Sequence, residues 1–379
     1  MKIGILTFHK SINYGAYLQA FALSQVIQAR FPSDEVEIID YDMWSARKYY
    51  LKEWAKACLK GNGVNQLKMR LAFQKAWKEL PLSKIRCTSD DHSDFQKLIR
   101  GTYDVIVAGS DQVWKISGIR PFPNPYFLPG EGNIHKFSYA ASSRSDMSKM
   151  SREKQQALET LLRDFRYIGV RDQKTADEIG KVIPGLPMHQ NCDPTFLYDF
   201  GEAKESAAAV LKKYYGIEDD KPRIVFMVKN DRMIRAVKAY YGDRVHCISL
   251  FVPHKGTLYH GGISPFEFAS VIFAADYMVT SFFHGMCFAI KAGVPFAAAE
   301  EKVSESQANS KMMDLLMKLG LEDRYASKSD TDSEKRILED MERSLPGRVR
   351  LNHEEGIAAL KASSESFFAA LQAVKGERK

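Results

Sequence analysis

The chain of 379 residues is poor in cysteine: five, at positions 58, 87, 192, 247 and 287, with no C-x-x-C pair. That spacing excludes a zinc knuckle or thioredoxin-like motif built from sequence neighbours and fits a reducing compartment. No G-x-G-x-x-G follows a strand-like run and no G-x-x-x-x-G-K-[ST] occurs, so the usual dinucleotide and P-loop sites lack their glycine geometry. H-E-x-x-H and G-x-S-x-G are missing too, which removes the commonest zinc-hydrolase and α/β-hydrolase signatures. Long apolar runs are scarce. The longest, Phe273 to Ala299, is broken by Asp276, His284, Lys291, Gly285 and Gly293, whereas a spanning helix needs about 20 mostly apolar residues; no transmembrane segment is expected. The opening run between Lys2 and Lys10 is too short for a signal-peptide core and has no small-residue cleavage site, so the mature chain is expected to start here and stay cytoplasmic.

What remains is globular. Hydrophobic residues at 45% and charged residues at 27% exclude a wholly disordered, collagen-like or coiled-coil chain, and the length suggests two domains at about 100–200 residues each. The net charge of +7 is local. Between Trp44 and Cys87, eleven Lys/Arg face only Glu53 and Glu79, so an electrostatic partner should meet this segment. It also holds Trp44, Trp54 and Trp77, three of the four tryptophans. Met69, Phe73, Trp77 and Leu80 fall on one helical face, the composition of a helix lying on an anionic membrane surface. The alternative is a pair of helices that pack these aromatics on the N-terminal domain and solvate the lysines. Nucleic-acid binding ranks lower, because no recognised fold signature accompanies the patch.

The first forty residues read as strand KIGILTF, loop, helix, and strand EVEIIDY. Further strands are expected at 103–109, 136–142 and 167–171, with a helix carrying Leu158, Leu161, Leu162 and Phe165. Continuous apolar strands alternating with a helical period predict a parallel sheet and a Rossmann-like domain over 1–197, with a basic helical insertion at about 44–87. After Asp193-Pro194 a second α/β series follows over 198–330, with strands at 223–229, 246–251, 277–282 and 295–299. The fold class expected is α/β, two Rossmann-like domains in a GT-B-like arrangement with a cleft between them. The tail, 331–379, carries helices with Ile357, Leu360, Phe367, Phe368 and Leu371 on one face, and should dock on the body.

Candidate chemistry sits at the carboxyl ends of the predicted strands, where open α/β sheets bind ligands. The loop His9 to Ala16 follows the first strand; its Ser11 or Asn13 could equally be a helix cap. Gly109-Ser110-Asp111-Gln112-Val113-Trp114 concentrates hydroxyl, carboxylate, amide and indole in six residues, although a Ser/Asp cap would use one of them and leave Gln112 and Trp114 free. Arg171 precedes a helix, a good phosphate or carboxylate site, or else a surface ion pair with Asp172 or Glu178. His284, delivered by Thr280-Ser281-Phe282-Phe283 and followed by Gly285, small enough for close ligand approach, is a candidate acid/base or a satisfied core histidine. No metal-ligand spacing stands out.

The ordered series TFHKSINYGAYLQAFAL, VAGSDQVW, KFSYAAS, GVRDQKTADEI, DPTFLY and TSFFHGMCFAI resembles the polysaccharide pyruvyl transferase family, from about residue 1 to Leu321. The resemblance implies a GT-B-like fold, transfer of pyruvate from phosphoenolpyruvate to sugar hydroxyls as a ketal, no cofactor beyond that co-substrate, and a role in cell-surface polysaccharide synthesis on a saccharide acceptor, lipid-linked or polymeric. By motif position it implies His284 as active-site histidine and Arg171 as phosphoenolpyruvate-binding arginine, with Asp111 or Asp193 as second proton acceptor. Donor binding falls to Arg171, Ser281, His284, Gly285 and Lys311. Acceptor binding falls to Asn13, Tyr14, Gly15, Ser110, Asp111 and Trp114, with Gly109 in the same loop. Phe282 stands where many members have Ser or Arg, and Lys311 where Arg is common, so Arg171, Lys311 and helix N-termini must carry more of the donor charge. Two other readings stay open: a nucleotide-sugar glycosyltransferase on the same fold, and a non-catalytic, membrane-peripheral assembly protein.

Overall fold

The computed structural model describes residues 1–59, 63–130, 133–299, 311–327, 330 and 332–377. Lys60 of the basic segment, and residues 328, 329 and 331 of the polar run 326–335, lie outside the described residues. The chain divides into two compact units. One comprises Met1–Gly63, Gln74–Tyr198 and Ala359–Lys379; the other, Val64–Phe73 and Asp199–Ala358.

In chain order the first part runs β1 (Lys2–Leu6), α1 (Tyr14–Arg30), β2 (Glu35–Tyr41), α2 (Trp44–Ala57), α3 (Gly63–Ala76), β3 (Leu82–Cys87), α4 (His92–Ile99), β4 (Val105–Ala108), β5 (His135–Ala141), α5 (Arg152–Arg163), β6 (Phe165–Val170), α6 (Gln173–Val182) and β7 (His189–Gln190). Its seven strands form one parallel sheet in the order β3-β2-β1-β4-β5-β6-β7. Ile3 aligns with Val36 on one side and Val105 on the other. Strands covered on both faces read as continuous apolar runs, and Ile5, Val105, Val107 and Phe137 are fully buried.

The remainder runs α7 (Gly201–Glu205), α8 (Ala207–Tyr215), β8 (Arg223–Met227), α9 (Arg232–Tyr241), β9 (His246–Ser249), α10 (Pro265–Phe273), β10 (Tyr277–Thr280), α11 (Phe283–Lys291), β11 (Phe296–Ala299), α12 (Lys311–Leu319), β12 (Tyr325–Ala326), α13 (Ser333–Ser344), α14 (Glu354–Ala362) and α15 (Glu365–Gly376). Its sheet is also parallel, β12-β11-β10-β8-β9. Ile337 and Met341 of α13 pack with Ile224, Phe226 and Val279. The last helix joins the first unit, where Phe367 is fully buried with its ring 4.8 Å from that of Tyr139.

Two expectations change. The insertion is not wholly helical: its last residues form β3, which extends the first sheet by pairing with β2, Ile38 opposite Leu82 and Tyr41 opposite Cys87. The expected Met69-Phe73-Trp77-Leu80 face does not lie open to a membrane either: in α3 Met69 is 2% and Phe73 0% exposed, and beyond the helix end Trp77 is half-buried and Leu80 5% exposed. Periodicity alone cannot separate a face that meets lipid from one that meets protein.

Candidate functional site

In each parallel sheet the chain leaves its first strand in one direction and later returns to that strand's other side, and the loops at this reversal splay apart to leave a crevice. In the first unit the reversal falls between β1 and β4. The loop after β4 begins at Gly109, with φ of 120°, where a Cβ would sit 2.2 Å from the Tyr139 carbonyl oxygen; only glycine fits. Asp111 follows with φ of 83°, a costly conformation for a residue with a side chain. It is held because its carbonyl accepts from the Val113 amide at 2.8 Å and the Ser142 amide at 2.9 Å.

A buried network locks this loop to β1. Thr7 Oγ1 donates to the Ser110 carbonyl at 2.9 Å and accepts from Gln19 Nε2 at 3.0 Å, while Ser110 Oγ donates to Gln19 Oε1. Beside it the ring nitrogens of His9 face the Thr7 carbonyl and Asp40 Oδ1, each at 3.2 Å, and Lys10 Nζ donates to Asp40 Oδ2 at 2.9 Å. Burial pushes the Asp40 carboxyl up, but the hydrogen bonds from His9 and Lys10 together outweigh it and bring its pKa down to about 2.

Arg171 is delivered by β6, its amide bonded to the Ala141 carbonyl at 3.0 Å. It is buried, at 5% exposure. Nη1 donates to Asp193 Oδ2 at 3.1 Å and Nη2 to Asp111 Oδ1 at 3.4 Å. The surface pair with Asp172 or Glu178 therefore gives way to a pair of carboxylates from two different loops. Asp172 instead caps α6, accepting from the Thr175 amide at 2.9 Å. The other oxygen of Asp193 accepts from Thr195 Oγ1 at 2.7 Å and the Thr195 amide at 3.1 Å. The Asp111 side chain is 16% accessible, against 1% for that of Asp193.

The residues assigned to acceptor binding divide. Asp111 reaches the edge, and Asn13 is exposed while its Oδ1 caps α1 through the Ala16 amide at 3.2 Å. Tyr14 and Ser110, at 1% and 0% exposure, are buried, as is Gly15. Trp114 is a core residue, fully buried, donating Nε1–H to the Tyr126 carbonyl at 3.0 Å and stacked on Phe127. An indole needs a large apolar pocket and one acceptor, and the interior supplies both.

In the second unit the reversal lies between β8 and β10, which pair as Met227 opposite Thr280. The turn after β10 is tied to β8 by the Ser281 amide, which donates to the Met227 carbonyl at 2.9 Å. It then starts α11, whose first turn holds His284, 8% exposed. Phe282 at the N-cap has no acceptor to offer the first amides, and no acidic residue occupies the first turn. Two lysines lie over the aromatic rings here: Lys229 Nζ is 5.5 Å from the Phe282 centroid and Lys311 Nζ 4.5 Å from that of Phe283. Ser281 Oγ is buried with no hydrogen-bond partner among the described residues. Gly285 is small for packing rather than for a ligand: a Cβ there would meet Thr280 Oγ1 at 2.5 Å and Met227 Sδ at 2.9 Å, where α11 presses on the sheet.

The family profile described as polysaccharide pyruvyl transferase matches residues 13–300, more than half of the chain. The chain belongs to the polysaccharide pyruvyl transferase family. No curated protein shows significant similarity to it in sequence. Solved structures that resemble this family member include UDP-GlcNAc 2-epimerase from Methanocaldococcus jannaschii, in one structure with TM-score 0.53 and 12% identity, covering 96% of this chain and all of that one. In complex with UDP-GlcNAc and UDP it gives 0.55 and 14%, covering 98% and 100%. The Neisseria meningitidis UDP-GlcNAc 2-epimerase bound to UDP-GlcNAc gives 0.58 and 8%, with the same coverage. At these identities the likeness is one of fold, and it puts this pyruvyl transferase family member in the GT-B class.

Sequence reasoning missed Lys229 and the His9–Asp40 pair. Lys229 was findable, as the last residue of a predicted strand at its carboxyl end. The pairing of His9 with Asp40 depends on β1 and β2 being neighbours, which residue type does not announce.

Proposed function

We propose that this family member transfers pyruvate from phosphoenolpyruvate onto two hydroxyls of a saccharide acceptor, forming a ketal and releasing phosphate, with no cofactor. The family match over residues 13–300 is the observation that carries the reading. Arg171 and the Lys229–Lys311 pair supply cationic groups for a phosphate and a carboxylate. In the sequence of steps, C3 of the enol takes a proton and C2 becomes oxocarbenium-like. One sugar hydroxyl adds there and gives up its proton; phosphate leaves with the C–O electron pair; the second hydroxyl closes the ketal and loses its own proton.

His284 is the proposed acid/base, being the group at the start of α11 whose unperturbed pKa lies near neutrality. Asp111 is proposed as the second proton acceptor, and Asp193 as the group that orients Arg171. With Phe at 282, the flanking lysines provide the charge an arginine there would have given. Ser281 Oγ and the first amides of α11 complete the donor contacts. The five cysteines, none joined to another, suit the cytoplasmic side, with the protein peripheral at the inner face of the membrane.

The test is calorimetric binding of phosphoenolpyruvate to the wild type, Arg171→Ala and His284→Ala, with UDP- and GDP-sugars as competitors. Saturable binding, lost in Arg171→Ala and weakened but still measurable in His284→Ala, is expected. In a phosphate-release assay with acceptor, His284→Ala should be slower by about 10²–10⁴-fold, the usual contribution of a positioned acid/base. Tight binding of a nucleotide sugar without phosphoenolpyruvate binding overturns the reading in favour of a glycosyltransferase.

A further inference from the structure

The segment from Trp44 to Leu71 carries an unusual surface. Of thirteen large hydrophobic side chains exposed among the described residues, eight lie between Trp44 and Leu71. Five of these belong to α2 and the residues just after it: Trp44, Tyr49, Tyr50, Leu51 and Leu59, at 45%, 44%, 43%, 50% and 88% exposure. Only Ala46 of α2 is buried. At about 100° per residue, Trp44, Leu51 and Ala55 share one stripe that Leu59 continues, with Arg47 and Lys48 on either side and Lys52 and Lys56 further round.

This helix is fixed to the body by its other side. The Ser45 amide donates to Asp90 at 3.1 Å, and Tyr50 Oη accepts from Arg120 Nη2 at 3.2 Å, with that guanidinium 4.0 Å over the Phe8 ring at the end of β1. The stripe is therefore presented to solvent by an anchored element. Arg47 and Lys48 lie 5.9 and 5.0 Å from the Trp44 ring, so the apolar stripe and its cations form one patch. Four cations and one carboxylate, Glu53, give α2 a net charge of +3.

We propose that α2 is a docking helix for an anionic lipid surface, Trp44, Leu51 and Leu59 entering the headgroup boundary and Arg47, Lys48, Lys52 and Lys56 meeting lipid phosphates. Charge decides the occupant. A second copy laid on the same face would oppose +3 to +3, whereas a bilayer with anionic headgroups offers both the complementary charge and an apolar layer beneath it. Tryptophan suits that boundary because its ring is apolar and its N–H polar. The residues differ from the Met69-Phe73-Leu80 face that periodicity suggests, and the inference stands on the exposed helix, independent of the donor chemistry.

The test is co-sedimentation of the full chain with vesicles of phosphatidylcholine alone or mixed with phosphatidylglycerol, at low and high salt. Binding to the mixed vesicles only, weakened at high salt, is expected, with a drop of about tenfold or more in Leu51→Glu and in the double variant Lys48→Glu, Lys52→Glu. Brominated lipid should quench the wild type more than Trp44→Phe. Unchanged thermal unfolding of these surface variants shows that the loss is one of docking. No binding to anionic vesicles, or equal binding by wild type and variants, overturns the proposal. So does retention by RNA without retention by vesicles, or lipid-free self-association that Leu51→Glu abolishes.

Discussion

Asp193→Asn and Asp111→Asn remove the same charge from the same arginine, yet the structure predicts opposite consequences. Asp193 is 3% exposed and its oxygens serve Arg171 at 3.1 Å and Thr195 at 2.7 Å. Taking one partner from a buried ion pair costs about 3–5 kcal/mol, because the remaining charge is stranded away from water. Arg171 keeps Asp111 at 3.4 Å, so the lower end, about 3 kcal/mol, applies. For a unit of about 200 residues that is a fall of about 6–12 °C in the unfolding midpoint. The amide of the variant adds to the cost, since its NH₂ would face a guanidinium that can only donate. Asp111 is partly accessible and stands at the longer distance from Arg171, 3.4 Å, so Asp111→Asn should cost under about 1 kcal/mol while slowing phosphate release by about 10²-fold or more if it takes the sugar proton. Differential scanning calorimetry and a phosphate-release assay on the two variants read both quantities. An Asp193→Asn midpoint within about 2 °C of the wild type, or an Asp111→Asn enzyme with wild-type turnover, refutes this division of labour.

Three further outcomes are expected. Trp114→Ala should lose about 3–5 kcal/mol of stability in urea unfolding, because it empties a fully buried site and strands the Tyr126 carbonyl. Lys229→Met should weaken phosphoenolpyruvate binding in calorimetry by about tenfold, a full point charge lost near the start of α11, with little change in unfolding. Asp40 has a folded pKa depressed to about 2 from 3.8, so its charge contributes about 2 kcal/mol of stability that is present above pH 3.8 and lost as pH falls through 2; in acid unfolding, the margin of the wild type over Asp40→Asn should be flat above about pH 4 and shrink below it.

The strands were legible where parallel sheets covered on both faces demand apolar runs: the apolar stretch of KIGIL and the run VIVA became β1 and β4, while β2, EVEIIDY, was legible from its β-branched Val36, Ile38 and Ile39 despite the acidic Glu35, Glu37 and Asp40. β3, LSKIRC, was not, for it lies at the sheet edge with only Ser83 buried and shows no apolar continuity. The candidate residues were legible as members of loops after strands, since Asp111, Arg171, Ser281 and His284 all follow one. Which loop residues turn outward was not, and Trp114, Ser110 and Gly285 show why. Each is chemically suited to a ligand, and each is consumed by packing or by a hydrogen bond to a residue far away in sequence.

By itself, then, the sequence determined the alternation of strand and helix, the two parallel sheets, the concentration of positive charge between residues 44 and 87, and the ordered motifs of the family. These are properties of local periodicity and composition. Only the tertiary structure decided that Arg171 lies between Asp111 and Asp193, that Lys229 and Lys311 flank the start of α11, and that α2 rather than the inner face of α3 meets solvent. Those facts depend on strand order and on which face each helix turns to the sheet, and both are fixed by contacts between residues distant in the chain.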